Sequence, residues 1–266
     1  MSLNRYQRVI SHVFEKFSDG ANDFEFPRSE LVKACETLGV KRIDNIGDVI
    51  YTYRYREDLP QSILNTQPEG LNWLILGAGD AKYRFHLGPL LFFKPTSGQT
   101  VRKIPDATPE IICQYALTDE QALLAKIRYN RLIDAFLGIV GYSLQSHLRT
   151  KIEDYGQIEI DELYVGVDSR GAQYIIPVQA KGGKDRLGVI QTIQDTIYCR
   201  NQKIYKNAIV RPVSAQFMKD DVIALFELYF DQEKEVVTIL RERQYKLTPS
   251  GDISKSDLDA YRIDKD

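Results

Sequence analysis

The sequence is poor in the residues that cross-link folds or bind soft metals. Its three cysteines, Cys35, Cys113 and Cys199, are odd in number and widely spaced along 266 residues. This argues against a disulfide framework or a cysteine-rich zinc site. Its three histidines, His12, His86 and His147, are isolated and show no zinc-ligand spacing. No apolar run reaches the ~18 residues that span a bilayer; the stretch around Ile139 and Val140 is broken by Gly138 and Gly141. The opening residues, MSLNRYQRVI, lack the apolar core of a secretory signal. Together these absences lead to the expectation of a reduced, cytoplasmic protein with no membrane partner. Charge of one sign is also missing, because 35 basic residues face 37 acidic ones. Before Ala107 there are 14 basic and 13 acidic residues, and from Ala107 on there are 21 and 24. An extended basic coat for nucleic acid is thereby excluded. A local basic groove is not, since phosphate binding depends on where charge sits rather than on its sum.

What is present is globular composition, with 43% hydrophobic and 27% charged residues. The first hundred residues read as short helices followed by strands. Val9, Ile10, Val13, Phe14 and Phe17 recur at helical spacing. Ser29 can cap a second helix carrying Leu31, Val32, Cys35 and Leu38, ended by Gly39. A third fits 45–55, with Ile46, Val49, Ile50 and Tyr53 on one side. Two strands, 73–76 and 83–87, flank Gly77-Ala78-Gly79-Asp80. This spacing fits neither phosphate-loop pattern and reads as a hairpin turn. Three helices and a hairpin are compatible with a winged-helix DNA-binding module over 1–105. The Pro-, Gly- and Thr-bearing stretch 95–108 places the boundary to a second domain, 106–266.

The second part opens with helical spacing over 118–137 and again over about 142–153, where Leu144, His147, Leu148 and Ile152 recur. Strands follow at 157–167 and 173–181, joined by the turn Asp168-Ser169-Arg170-Gly171. Asp185 is placed to cap a helix whose buried stripe is Leu187, Ile190, Ile193 and Ile197. Strand-like segments lie at 208–213, 222–229 and 236–240. The last sixteen residues read as a loose polar tail. The fold class is therefore α/β of the α+β kind, a mixed β-sheet flanked by helices.

The chemistry concentrates between Gln157 and Tyr198. On a strand, side chains two apart share a face, so Gln179 pairs with Lys181, and Glu159 with Asp161. Folding the hairpin brings both pairs toward one end of an otherwise apolar sheet. A lysine following Ile175-Ile176-Pro177-Val178 is costly there unless it is paired or used. A carboxylate and a side-chain carbonyl supply oxygen ligands for Mg²⁺. Gly182 and Gly183 let a DNA backbone approach closely. The plainer reading is an Asp161–Lys181 ion pair at a sheet end.

The pattern Asp161…Gln179-Ala180-Lys181, on a hairpin followed by a helix, resembles the D…QxK variant of the PD-(D/E)xK nucleases, seen in Mrr-type and some type II restriction enzymes. The resemblance covers about residues 142–215. It implies a restriction-endonuclease-like fold in which Asp161, Gln179 and the Ala180 carbonyl bind Mg²⁺, with Lys181 as the catalytic lysine. Two departures stand out: Ile160 replaces proline, and Gln179 is neutral where an acid is usual, so Glu159 becomes a candidate second carboxylate. The glutamate often found on the family's preceding helix has only Glu153 and Gln145 to match it. Gln194 and Tyr198 fit the QxxxY spacing of RecB-like nucleases, although a solvated Gln with a packed Tyr serves as well. Lys184, Arg186 and Gln191 beside the site, and Arg54 and Arg56 in Tyr51-Thr52-Tyr53-Arg54-Tyr55-Arg56, are candidate contacts to DNA. The expected protein is a Mg²⁺-dependent endonuclease on double-stranded DNA, most simply a type II restriction enzyme acting as a homodimer. The alternatives are an Mrr-like or repair nuclease and a non-catalytic DNA-binding regulator.

Overall fold

The computed structural model describes residues 3–115, 120–152, 155–182 and 185–263. The chain begins with α1 (Arg5–Ser18), β1 (Asp23–Pro27), α2 (Ser29–Thr37), α3 (Gly47–Tyr55) and α4 (Gln61–Leu64). It continues with β2 (Asn72–Gly77) and β3 (Lys82–Gly88). Asn4 caps α1 in a reciprocal capping box with Gln7. Strand β1, in which Phe24 and Phe26 alternate with Asp23 and Glu25, pairs antiparallel with β3 to give a three-stranded sheet in the order β1-β3-β2. Phe14, Phe24, Phe26, Trp73 and Phe85 pack at the centre of this module, Phe14 edge-on to Trp73 and Phe85, and Phe24 stacked on Phe85. Strand β2 is apolar on both faces for a reason. Trp73 and Ile75 enter the module's own core, while Leu74 and Leu76 enter the core of the larger sheet.

Short strand β4 (Phe92–Phe93) leads to β5 (Val101–Pro105), α5 (Glu110–Tyr115), α6 (Glu120–Tyr129) and α7 (Leu132–Leu137). Then come β6 (Val140–Ile152), β7 (Gly156–Val167), β8 (Gln173–Lys181), β9 (Leu187–Gly188) and α8 (Val189–Asn201). The chain closes with β10 (Ile209–Val210), β11 (Val213–Phe217), β12 (Val222–Asp231), β13 (Val236–Thr248) and α9 (Lys255–Ile263). The large mixed sheet runs β5-β13-β12-β11-β8-β7-β6, with β10 also on β8. Strands β10 and β11 run parallel to β8, and β6, β7 and β8 form an antiparallel meander. Pro177, which offers no N–H, sits in β8 opposite the break between Val210 and Val213.

Two helical layers cover the sheet, and the period of two in each strand decides what each layer meets. Tyr174, Ile176 and Val178 face α6 and α7 through Leu123, Leu124, Ile127, Ile133 and Phe136. Ile175, Ile160, Phe226 and Phe230 face α8 through Ile190, Ile193 and Ile197. No helix among the described residues is long and apolar enough to cross a membrane.

Four expectations are corrected. Residues 140–152 form strand β6, not a helix. A spacing of four puts Leu144, Leu148 and Ile152 on one face in either geometry, and pairing with β7 decides for the strand. The helical stretch 118–137 is two helices, broken at Arg131 in the left-handed region. Asp185 caps nothing: Leu187–Gly188 pairs with β4, and α8 begins at Val189 after Gly188. The polar tail is not loose through its length. Helix α9 docks on β5 through a Lys103–Asp257 ion pair of 2.9 Å, and Tyr261 accepts the Lys103 N–H.

Candidate active site

A cleft of about 820 Å³ separates the first module from one end of the large sheet. One wall is α3 and the β2–β3 turn, including Tyr51, Arg54, Arg56, Asp80 and Lys82. The other is built from β6, β7, β8 and α8, and carries Glu159, Asp161, Gln179, Lys181 and Gln191.

The floor forms where two strands part. Backbone pairing of β7 with β8 extends no further than Glu162 opposite Val178. One residue beyond, the Asp161 carboxylate takes over the ladder's role and its Oδ2 accepts the Ala180 N–H at 2.8 Å. Burial pushes the Asp161 carboxyl above the usual carboxylate range, against the pull of Lys181 and the Ala180 N–H. Gln179, 3% exposed, accepts the Ser214 hydroxyl at 3.3 Å through Oε1. Lys181 shares its face at the end of β8. Its ammonium pairs with Glu120 Oε1 at 2.9 Å, at the first turn of α6. Burial disfavours that ammonium, but the charges of Asp161 and Glu120 outweigh it and raise the lysine pKa.

The remaining candidates divide. Gln191 reaches from α8 toward Asp161 Oδ2 at 3.5 Å and the Glu159 carbonyl at 3.4 Å. The Glu159 carboxylate is engaged on β6, 3.1 Å from both His147 Nδ1 and Arg149 Nε. Hydrogen bonds from Arg149 and His147 overcome its burial and lower its pKa. Arg186 lies over the Phe92 ring and donates to Asp58 at 2.8 Å. Arg56 is exposed and stacks on Tyr51, whereas Arg54 is buried, with Nε on the Ile75 carbonyl at 2.6 Å. Lys184, Gly183 and Glu153 lie outside the described residues. Gln194 is buried and accepts the Tyr55 hydroxyl at 2.9 Å.

One site residue, Glu120, carries no local signal in the sequence, where it is one more acid at the start of a helix. Asp195 of α8 is buried. A separate group, Asp23, His86 and Glu235, lies together outside the cleft. There the Arg84 guanidinium bonds both carboxylates, so the cluster is an ion-paired bridge from β3 to the β12–β13 turn.

No family model, curated protein or solved structure matches this chain. The functional reading therefore rests on the cleft itself.

Proposed function

We propose that the chain is a Mg²⁺-dependent endonuclease of double-stranded DNA, of the PD-(D/E)xK kind and most simply a type II restriction enzyme. The observation that carries this reading is the meeting of Asp161, Gln179 and Lys181 at the strand parting, inside a cleft with basic walls. The order α6, β6-β7-β8, α8, then β11 parallel to β8, supports the restriction-endonuclease-like core. Four helices, α4 a single turn, with a three-stranded sheet whose β2–β3 turn lies over the cleft support a winged-helix role for the first module.

The residues fit a hard cation. Asp161, the Gln179 side-chain carbonyl and the Ala180 backbone carbonyl are all oxygen donors, as Mg²⁺ requires. When bound, Mg²⁺ supplies Lewis-acid polarisation of the phosphate and neutralises developing charge. The protein side chains do the rest. Glu120 holds Lys181 Nζ in place, and Lys181 directs N–H donors at the phosphate oxygens and the attacking water. Gln191 helps orient Asp161. Arg56, Lys82 and Arg149 line the path of the backbone and bind phosphates without reading sequence. In-line attack of water leaves a 5′-phosphate and a 3′-hydroxyl. Cutting both strands at a symmetric site calls for a homodimer.

Incubation of unmodified plasmid with Mg²⁺, followed by sequencing of fragment ends, tests the reading. Discrete ends support restriction, and cleavage confined to methylated DNA supports the Mrr-like role. Absence of Mg²⁺-dependent cleavage on every substrate refutes the enzyme and leaves the regulator.

A further inference from the structure

Arg54 is left over by this scheme. It is 8% exposed and lines the cleft. Its Nε is spent on the Ile75 carbonyl, and its Nη2 has no hydrogen-bond partner among the described residues. No carboxylate is paired with it among those residues either. A guanidinium taken out of water with an empty donor and no counter-charge is costly and calls for an explanation. Its surroundings offer one. Tyr51, Tyr55 and Tyr83 line the cleft with it. The Tyr51 ring is 46% exposed, and Tyr55, one helical turn on, packs against it with ring centroids 4.9 Å apart. The Tyr55 hydroxyl is in turn fixed on Gln194. The Arg54 guanidinium is braced in the same way by the Tyr83 ring, 5.3 Å from its centroid. An exposed ring and a planar donor, each held from behind, form a preorganised pair. Aromatic faces stack any base, and guanidinium donors match the acceptor edges of a base. In a duplex the base faces are closed by stacking, so such a pair suits a base turned out of the helix. Gln194 follows Gln191, whose amide reaches Asp161, by one turn of α8, so this recess lies close to the cation site.

We propose that this recess receives one base extruded from the bound duplex, stacked on the Tyr51 ring and with an acceptor edge on the Arg54 guanidinium. The inference rests on the DNA-filled cleft of the nuclease reading and adds that one nucleotide leaves the helix there. It gives the empty Nη2 a partner and explains why α3 sets a buried arginine among tyrosines. It also makes Arg54 a reader of base identity, in contrast to Arg56 and Lys82, which hold phosphates.

Fluorescence-anisotropy titrations of the full chain carrying Asp161→Asn provide the test independently of cleavage. The probes are a short matched duplex, the same duplex with one central mismatch, and the unpaired strand alone. A mismatched base costs less to extrude, so the mismatched duplex is expected to bind at least about tenfold tighter than the matched one. Adding Tyr51→Ala or Arg54→Gln is expected to shrink that ratio by at least about fivefold, with an unchanged circular dichroism spectrum. Should Arg54→Gln not fold, Arg54→Lys replaces it, keeping the charge and losing the planar fork. A mismatch preference that both variants leave intact overturns the proposal. Tightest binding to the unpaired strand overturns it as well and makes the cleft a single-strand channel. Equal binding of the two duplexes removes the base recess alone. If no probe binds, the DNA-filled cleft and this inference fall together.

Discussion

On the proposed reading Asp161 and Lys181 do different work, and their substitutions separate it. Asp161→Asn keeps a group able to occupy the Ala180 N–H but removes the charge. Lys181→Met keeps the packed stem and removes the ammonium. Each is expected to lower Mg²⁺-dependent cleavage by about 10²–10⁴-fold in a plasmid-nicking assay, with unfolding midpoints close to wild type. The hairpin turn offers a second test at this scale. Burial works against the Asp168 carboxylate, but bonds from Arg170 and the Ala172 N–H hold its pKa down at about 2. The unfolded chain therefore binds more protons in acid than the folded one, so stability falls as pH drops from the ordinary carboxylate range through about 2. Urea midpoints measured from pH 5 downward should show a shallower decline in Asp168→Asn than in the wild type. The legibility of single residues followed the same logic of local bonding. Asp161, Gln179 and Lys181 were readable because strand periodicity alone puts 179 and 181 on one face. Glu120 was not, because it reaches the cleft from a helix whose docking has no signature in sequence spacing.

Elements were most legible where one period alone was possible. Strands β7 and β8 and their turn were read nearly to the residue, because alternating apolar positions ended at Asp168 and Gly171. Strand β6 was misread because Leu144, Leu148 and Ile152 satisfy helix and strand alike, and the bulge near Ser143–Gln145 disturbs the alternation that distinguishes them. Helix α9 was missed because its stability comes from contacts with Lys103, more than 150 residues earlier in the chain. Packing inside the first module gives an element-scale prediction. Phe85 is fully buried and touches Phe14, Phe24, Phe26 and Trp73. Phe85→Ala leaves a cavity among four rings and should destabilise the protein by about 3–5 kcal/mol, read as a lowered midpoint in urea.

Side-chain links among the described residues cross between the first module and the large sheet with its α8 layer, among them Tyr55 to Gln194, Asp58 to Arg186, Arg84 to Glu235 and Asp80 to Lys151. Leu74 and Leu76 add an apolar seam against the α8 side of the sheet. The cleft is thus lined by parts of one packed body. Its cations should behave as a set toward DNA. Replacing Arg56 and Lys82 together with alanine is expected to reduce the steepness of log affinity against log salt by about two, in titrations with catalysis blocked by Asp161→Asn. Parallel weakening across unrelated sequences would assign both residues to the backbone; loss confined to one sequence would assign them to base recognition.

Such bracing has a geometric consequence for a nuclease. Where reading and cutting parts hang on a flexible tether, scission wanders over several base pairs. Here α3 and the Lys181 ammonium sit in one packed body, which on the proposed nuclease reading would act as a ruler, fixing the offset from recognised base to broken bond. Lengthening the connection at residues 94–100 should leave that offset unchanged, since the frame and not the connection sets it.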